Sequence, residues 1–283
     1  ISEIAPAFPD FALAAVVFEL GRNPVERPAE LDALVAEREA ACRAEHAGME
    51  LSAIPGIAAW RRAYRAFGIK KTSYRSSVER LVKNVLAERE LARINSFVDA
   101  YNTVSLSHVL PLGADDLDKV VGDIAFRYAR ADDSFRDMAG DGEGAGVDRD
   151  DRDDPPKPGE VVYADAEKVL CRRWNWRQDV RSLVGPTTRC AVVTIQSNGE
   201  GSVVTAAQAF RSPGAAPVRA GNQAGSGVYG AHLDGSGPVA QRCGRPCQPQ
   251  RVPLQRYLQP GDGPDVQGIP DRAQDEEGQG IAA

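Results

Sequence analysis

Apolar residues recur along the first 210 positions with the spacings of both strands and helices. The run FALAAVVF at positions 11–18 is typical of a buried strand, which closes before Gly21. Pro28 suits the first turn of a helix that follows. The apolar stripe of that helix is Leu31, Leu34, Val35 and Cys42. The segment IAAWRRAYRAFG predicts a second helix that ends at Gly68.

Two further helices have clear signals. In SSVERLVKNVL, Ser76 and Glu79 have the spacing of a capping box, and apolar residues follow at i, i+3, i+4, i+7 and i+8. The segment NSFVDAYNTVSLSHVL predicts a helix up to Pro111, with Val98 and Tyr101 pointing inward.

Strand-like runs dominate the positions after a predicted loop, PLGADDLDK. These runs are DIAFRYAR, EVVYAD, KVLCRRWNW and RCAVVTIQS. Helices and strands do not alternate regularly, so the pattern predicts an α+β or layered α/β domain with mixed sheets and flanking helices.

Composition divides the chain into a folded region at 1–210 and a tail at 211–283. Positions 139–158 have almost no apolar residues and predict a mobile acidic loop. The tail is rich in Gly, Pro, Ala, Arg and Gln without a period, which predicts disorder. Alternatively, the tail is an out-of-frame translation of a GC-rich gene, because such codons in the wrong frame give this residue mix. Translating the other two frames distinguishes these readings.

The overall composition is that of an ordinary soluble protein, with 42% hydrophobic and 26% charged residues. The longest apolar run is too short to cross a membrane. Five scattered cysteines indicate free thiols in a reducing cytoplasm. Cys243 and Cys247 form C-x3-C without other ligands nearby, so we predict no metal site and no cofactor.

Charge is uneven along an acidic chain whose net charge is −6. Positions 61–93 contain ten cations and three glutamates, a net charge of +7. This segment is either a solvated helix face or a surface that faces nucleic-acid phosphates. The candidate phosphate contacts are Arg61, Arg62, Arg65, Lys70 and Lys71.

The segment CRRWNWRQ, at positions 171–178, concentrates arginines, tryptophans and amides. On an extended strand, Arg173, Asn175 and Arg177 would share one face, and Trp174 and Trp176 the other. We expect the first face to line a cleft and to offer donors to a phosphate, carboxylate or ester oxygen. The tryptophans either join that site or pack on a helix beneath stacked arginines.

A polar seam on the predicted helix before Pro111 comprises Asp99, Asn102, Ser105 and His108. One helix rarely gives a Ser-His-Asp triad the reach and orientation that it needs, so hydrogen bonding to neighbouring elements is the better interpretation. Asn102 and Ser105 remain candidates for a site.

Four segments together resemble a known domain: INSFVDAYNTVSLSHVLPLGADDLDKVVGDIAFRYAR, PGEVVYAD, CRRWNWRQ and TTRCAVVTIQ. They resemble the B3/B4 domain of the phenylalanyl-tRNA synthetase β subunit, and more closely the free-standing proteins built from that domain alone. The resemblance spans positions 8–196. It implies a layered α/β fold around a cleft for an aminoacyl-tRNA 3′ end, and hydrolysis of the ester of wrongly charged tRNA. It implies no ligase activity from this chain.

The sequence departs from the synthetase pattern at two positions. Gly113 stands where the synthetase has a histidine, and Thr194 or a neighbour stands where it has an acidic residue. Both missing residues are associated with tyrosine editing, so the substrate differs or the domain binds without cleaving. A damaged gene product is a third possibility, if the tail is out of frame.

Deacylation of an activated ester needs a positioned water and donors for the oxyanion, and no covalent nucleophile. We expect Asn102 and Asn175 to be catalytic. The expected substrate contacts are Tyr74, Arg75, Ser76, Ser105, Arg173, Trp174 and Arg177. The alternative function is a non-catalytic module that binds RNA or an amino-acid-like ligand.

Overall fold

A computed structural model describes residues 1–21, 23–70, 74–138 and 155–210, and the backbone of 226–229. The helices in these residues are α1 Ala29–Glu45, α2 Pro55–Ala66, α3 Ser77–Leu86, α4 Ser96–His108 and α5 Val203–Ala209. The strands are β1 Phe11–Glu19, β2 Leu112–Asp116, β3 Ala125–Tyr128, β4 Val161–Ala164, β5 Val169–Arg172, β6 Arg177–Gln178, β7 Cys190–Asn198 and β8 Ser226–Tyr229. The predicted α+β class is confirmed.

The helices begin and end where local signals favour it. The Ser76 side chain accepts from the Glu79 backbone N–H at 3.3 Å, which caps α3 as predicted. The Asn95 side chain caps α4 by accepting from Val98 N–H at 3.0 Å. Helix α4 ends at His108, and the next residue, Val109, has a left-handed φ of 51°.

The strands form two sheets, ordered β2-β7-β1-β8 and β3-β4-β5-β6. Every pair within them is antiparallel, so the expectation of mixed sheets was wrong. The predicted loop at PLGADDLDK was also wrong in part, because β2 occupies it. Leu112 and Ala114 of β2 join the core beneath the first sheet, and this alternation outweighs the poor strand propensity of glycine and aspartate.

The alternation of β7 separates two sides of the first sheet. Ala191, Val193 and Ile195 pack into a core with α4 and α5. The intervening side chains, including those of Thr194 and Gln196, therefore face the opposite side.

That opposite side carries a second core, which also takes residues from α2 and the second sheet. Its buried members include Phe11, Trp60, Phe126, Tyr163 and Trp174. Residues of the second sheet thus cover the free face of the first sheet, with helices on the other face.

Two predicted segments fall largely outside the described residues. These are 139–154 of the acidic loop, and the tail except β8. Strand β8 lies within the tail and pairs antiparallel with β1, with Val228 opposite Val16. In the part of the chain that the structure describes, no helix is long and apolar enough to cross a membrane.

Candidate active site between the two sheets

The segment CRRWNWRQ is a turn and not an extended strand. Strand β5 ends at Arg172, and residues 173–176 reverse the chain into β6. Arg173 and Trp174 have left-handed φ values of 47° and 68°. The predicted two-faced strand is therefore wrong. Such a conformation costs about 1–2 kcal/mol for each residue, so favourable packing must offset it.

Trp174 provides much of that packing. It has no exposed surface, and its ring meets Phe8, Phe11 and Trp60 with centroids 4.6, 4.9 and 5.3 Å apart. Of the two interpretations of this tryptophan, packing inside the protein is the one observed. Enclosed on every side, Trp174 offers a ligand no surface.

Arg173 is also built into the protein. Its guanidinium carbon lies 3.7 Å from the ring centroid of Tyr74 and 4.3 Å from that of Trp176. Its Nε lies 3.3 Å from Glu160, and only 4% of the residue is exposed. Arg173 thus joins the turn to the segment before α3 instead of reaching towards solvent.

Arg177 and Arg80 lie beside the same turn and are partly exposed. Arg177 donates to both oxygens of Asp137 at 3.1 Å and covers the Trp176 ring. Arg80 donates to the Trp176 carbonyl oxygen. Burial, and the nearby charge of Arg177, lower the pKa of Arg80 from its usual value.

Asn175 connects α2, α3 and β7. Its Oδ1 accepts from the Tyr64 hydroxyl at 2.9 Å, and its Nδ2 donates to Oε1 of Gln196 at 3.1 Å. Its carbonyl oxygen accepts from Ser77 N–H at 3.1 Å. Both ends of the amide that we expected to be catalytic are therefore engaged. The hydrogen bonds run in one direction, from Tyr64 through Asn175 to Gln196.

Gln196 is a residue that our sequence reasoning did not select. It is 3% exposed, and its Oε1 is held by Asn175. No described residue pairs with its Nε2. The amide of Gln196 is thus oriented through its oxygen, and its N–H donors have no partner among the described residues. Its signal was a polar residue two positions after Thr194, on the same face of a strand whose first half is apolar.

Gly113 and Thr194 are direct cross-strand partners on β2 and β7. A Cβ on Gly113 would lie 4.0 Å from Oγ1 of Thr194, so the two positions that depart from the synthetase pattern share one place. The buried Tyr163 hydroxyl lies beside the side chains of Thr194 and Asp115. Among the described residues it has no hydrogen-bond partner of good geometry.

Asp115 is a buried carboxyl in the same cluster, 2% exposed. Its Oδ1 accepts from Nε2 of Gln178 at 2.8 Å. Burial raises the pKa of Asp115 to about 6, although hydrogen bonds from Ser182 and Gln178 act in the opposite direction. Burial also raises the pKa of the neighbouring Cys171 thiol, which keeps it protonated.

The polar seam of α4 is mostly structural. Asp99 accepts from Arg27 at 2.7 Å, and the Ser105 hydroxyl donates to the Leu110 carbonyl at 2.6 Å. Asp99 and Ser105 are therefore engaged elsewhere and do not form a Ser-His-Asp triad with His108. Asn102 is half-buried and forms no side-chain hydrogen bond with any described residue. Burial lowers the pKa of His108.

The cationic segment divides into paired and exposed residues. Arg61 and Arg75 both bind Glu79, at 2.7 and 2.9 Å. Arg62, Arg65 and Lys70 are exposed, and Lys71 lies outside the described residues. Ser76 is buried and caps α3.

The described residues contain no cluster of His, Cys, Asp or Glu that could hold a metal ion. Cys243 and Cys247 lie outside them.

Two antiparallel sheets, flanking helices and a buried polar cluster where the sheets meet define an α+β domain. The model of the B3/4 domain family matches residues 59–216, more than half of the chain, so the chain belongs to that family. The family is associated with tRNA binding and editing. No curated protein matches the chain. The match begins after α1, although β1 pairs with β7 along its full length.

Proposed function

We propose that this protein hydrolyses the ester of a wrongly charged aminoacyl-tRNA. The observation that carries the proposal is the oriented amide of Gln196, whose Oε1 is fixed by Asn175 and whose Nε2 has no partner among the described residues. An amide held in this way presents its N–H groups without reorganisation, which is what a developing oxyanion requires. The association of the family with tRNA editing supports the choice of substrate.

Two donors serve the oxyanion in this proposal. Gln196 Nε2 is one, and the second is left to a further group of the substrate or the protein. The Tyr163 hydroxyl lies beside Asp115, and burial raises its pKa, so it keeps its proton and can donate to that carboxylate. Losing one oxyanion donor typically lowers kcat by about 10²–10³.

Asp115 acts as the general base. A carboxyl with a pKa of about 6 is mostly ionised at neutral pH and still basic enough to accept a proton from water. The water oxygen bonds to the ester carbonyl carbon, and its proton passes to Asp115. When the tetrahedral intermediate collapses, the bond to the ribose oxygen breaks, and that oxygen takes the proton back from Asp115, which regenerates the base. Cys171, kept protonated by burial, is not needed as a nucleophile.

The tRNA itself would contact the exposed cations of the segment 61–93. Arg62, Arg65 and Lys70 are exposed and able to face phosphates. Of the residues selected from sequence, Asn175 would act by orienting Gln196. Asn102, half-buried on α4, remains a candidate for substrate contact.

The test is release of labelled amino acid from a panel of correctly and wrongly charged tRNAs incubated with the full chain. The proposal requires release above the spontaneous rate from at least one wrongly charged tRNA, and its loss in Gln196→Ala. Gln208→Ala is the matched control, because Gln208 is an exposed glutamine on α5. Absence of release from the whole panel would contradict the proposal.

A second function, binding without cleavage, is favoured by Gly113 and Thr194. They stand opposite each other where the resemblance would place residues associated with tyrosine editing. A binding module would bind a non-hydrolysable aminoacyl-adenosine amide, which calorimetry would detect. It would release no amino acid from any charged tRNA of the panel.

A further inference from the structure

One buried carboxylate holds two arginines where α2 meets the start of α3. Glu79, 2% exposed, accepts from Nη2 of Arg61 at 2.7 Å and from Nε of Arg75 at 2.9 Å. It also accepts from Nε of Arg61 at 3.2 Å. The two arginine side chains are 28% and 23% exposed. Nη1 of Arg61 and both Nη atoms of Arg75 have no hydrogen-bond partner among the described residues.

The surface around this group, which we name the Glu79 clasp (Arg61, Arg75 and Glu79), is cationic. Arg62, Arg65 and Lys70 lie close to the clasp in sequence and are exposed, and α2 contains no acidic residue. Glu79 lies inside and its charge is shared by two cations. The outward face of the clasp therefore stays positive although it contains a carboxylate.

We propose that Glu79 is a positioning residue that presents Arg61 and Arg75 as a preformed site for the phosphodiester backbone of RNA. Guanidinium groups match phosphate oxygens in bidentate geometry. Holding them in place beforehand removes part of the side-chain entropy that binding otherwise costs. The choice of RNA over an acidic protein rests on the proposed function, and the cations within positions 61–75 suit regularly repeated phosphates.

The variant Glu79→Gln separates positioning from bulk electrostatics by the sign of its effect. Removing a negative charge from a cationic surface raises affinity for tRNA if only net charge matters. If Glu79 positions the arginines, affinity falls, by about fivefold to tenfold at 0.1 M salt for one lost phosphate contact. The control is Glu90→Gln, which removes one exposed negative charge from the same segment.

The measurement is fluorescence anisotropy of labelled, uncharged bulk tRNA with the full chain, with melting temperatures recorded for each variant. We expect Glu79→Gln to bind more weakly than the wild type and Glu90→Gln to bind equally or slightly more tightly. If Glu79→Gln does not fold, Arg75→Lys tests the same idea, since it keeps the charge and loses the forked geometry. The salt slope should shrink by about one unit in Arg75→Gln.

Several results would overturn the inference. They are Glu79→Gln binding tRNA as tightly as Glu90→Gln, Arg75→Lys binding like the wild type, no binding of tRNA at all, or tighter binding of polyglutamate than of tRNA. Because the probe carries no ester, failure of hydrolysis with binding intact contradicts only the proposed function.

Discussion

The Nδ2 of Asn175 donates to Oε1 of Gln196 at 3.1 Å and fixes which end of the glutamine amide is free. Asn175 is itself fixed, because its Oδ1 accepts from the Tyr64 hydroxyl at 2.9 Å. A turn between β5 and β6, a helix and a central strand thus cooperate to orient one buried amide. Orientation of this kind is more valuable in a site than mobility, because the donors meet a developing charge without rearranging.

Removing the Tyr64 hydroxyl should weaken this orientation while leaving the substrate contacts in place. We expect Tyr64→Phe to lower kcat for ester hydrolysis about tenfold with little change in KM. It should also cost about 1–3 kcal/mol of unfolding free energy, because Oδ1 of Asn175 loses its partner. Tyr128→Phe, on β3 of the second sheet, is the matched control. Equal changes in kcat for the two variants would contradict the role of Tyr64 in orienting Asn175.

Asp115 links activity and stability to pH in opposite directions. Burial raises its pKa from 3.8 to about 6, so the native carboxyl retains a proton that the unfolded chain releases between those values. Unfolding free energy should therefore fall as pH rises from about 4 to about 6, by a few kcal/mol in all. Hydrolysis should rise over the upper part of the same range and level off above it, because the base must be ionised.

The variant Asp115→Asn checks both effects together. Its unfolding free energy, from urea titrations at several pH values, should lose this slope, and its hydrolysis should be slow at every pH. A rate that still rises through pH 6 in Asp115→Asn would assign the titration to another group.

Trp174 should matter for folding and not for ligand contact. Trp174→Ala removes an indole with no exposed surface from among four aromatic partners. The expected loss is about 3–5 kcal/mol of unfolding free energy. Trp176→Ala, at a ring that is 9% exposed, should cost less. Chemical denaturation compares the two, and a smaller loss at Trp174 would contradict the packing described.

Much of the fold was predictable because its signals are local. Helix α3 has its cap at Ser76 and an unbroken apolar stripe, and β1 and β7 are long apolar runs. Such elements follow from hydrogen bonding and burial within a few residues. The sequence predicted their type for this reason, and the structure confirms it.

The site was less predictable because distant residues determine it. The turn at Arg173 and Trp174 opposes local preference, and it forms because Trp174 N–H donates to the Val161 carbonyl while the ring enters a core assembled from β1 and α2. Gln196 looks like a strand residue until its partner is known, and that partner is 21 positions away. Neither the turn nor the Asn175–Gln196 hydrogen bond can be predicted from the spacing of residues that are close in sequence.

The most direct test of the central claim is single-turnover release of amino acid from the best wrongly charged tRNA, with enzyme in excess. Wild type, Gln196→Ala and Gln208→Ala would be compared at the same saturating concentration. We predict that the first-order rate falls by about 10²–10³ in Gln196→Ala and is unchanged in Gln208→Ala. A rate for Gln196→Ala equal to that of the wild type would contradict the assignment of Gln196 as an oxyanion donor.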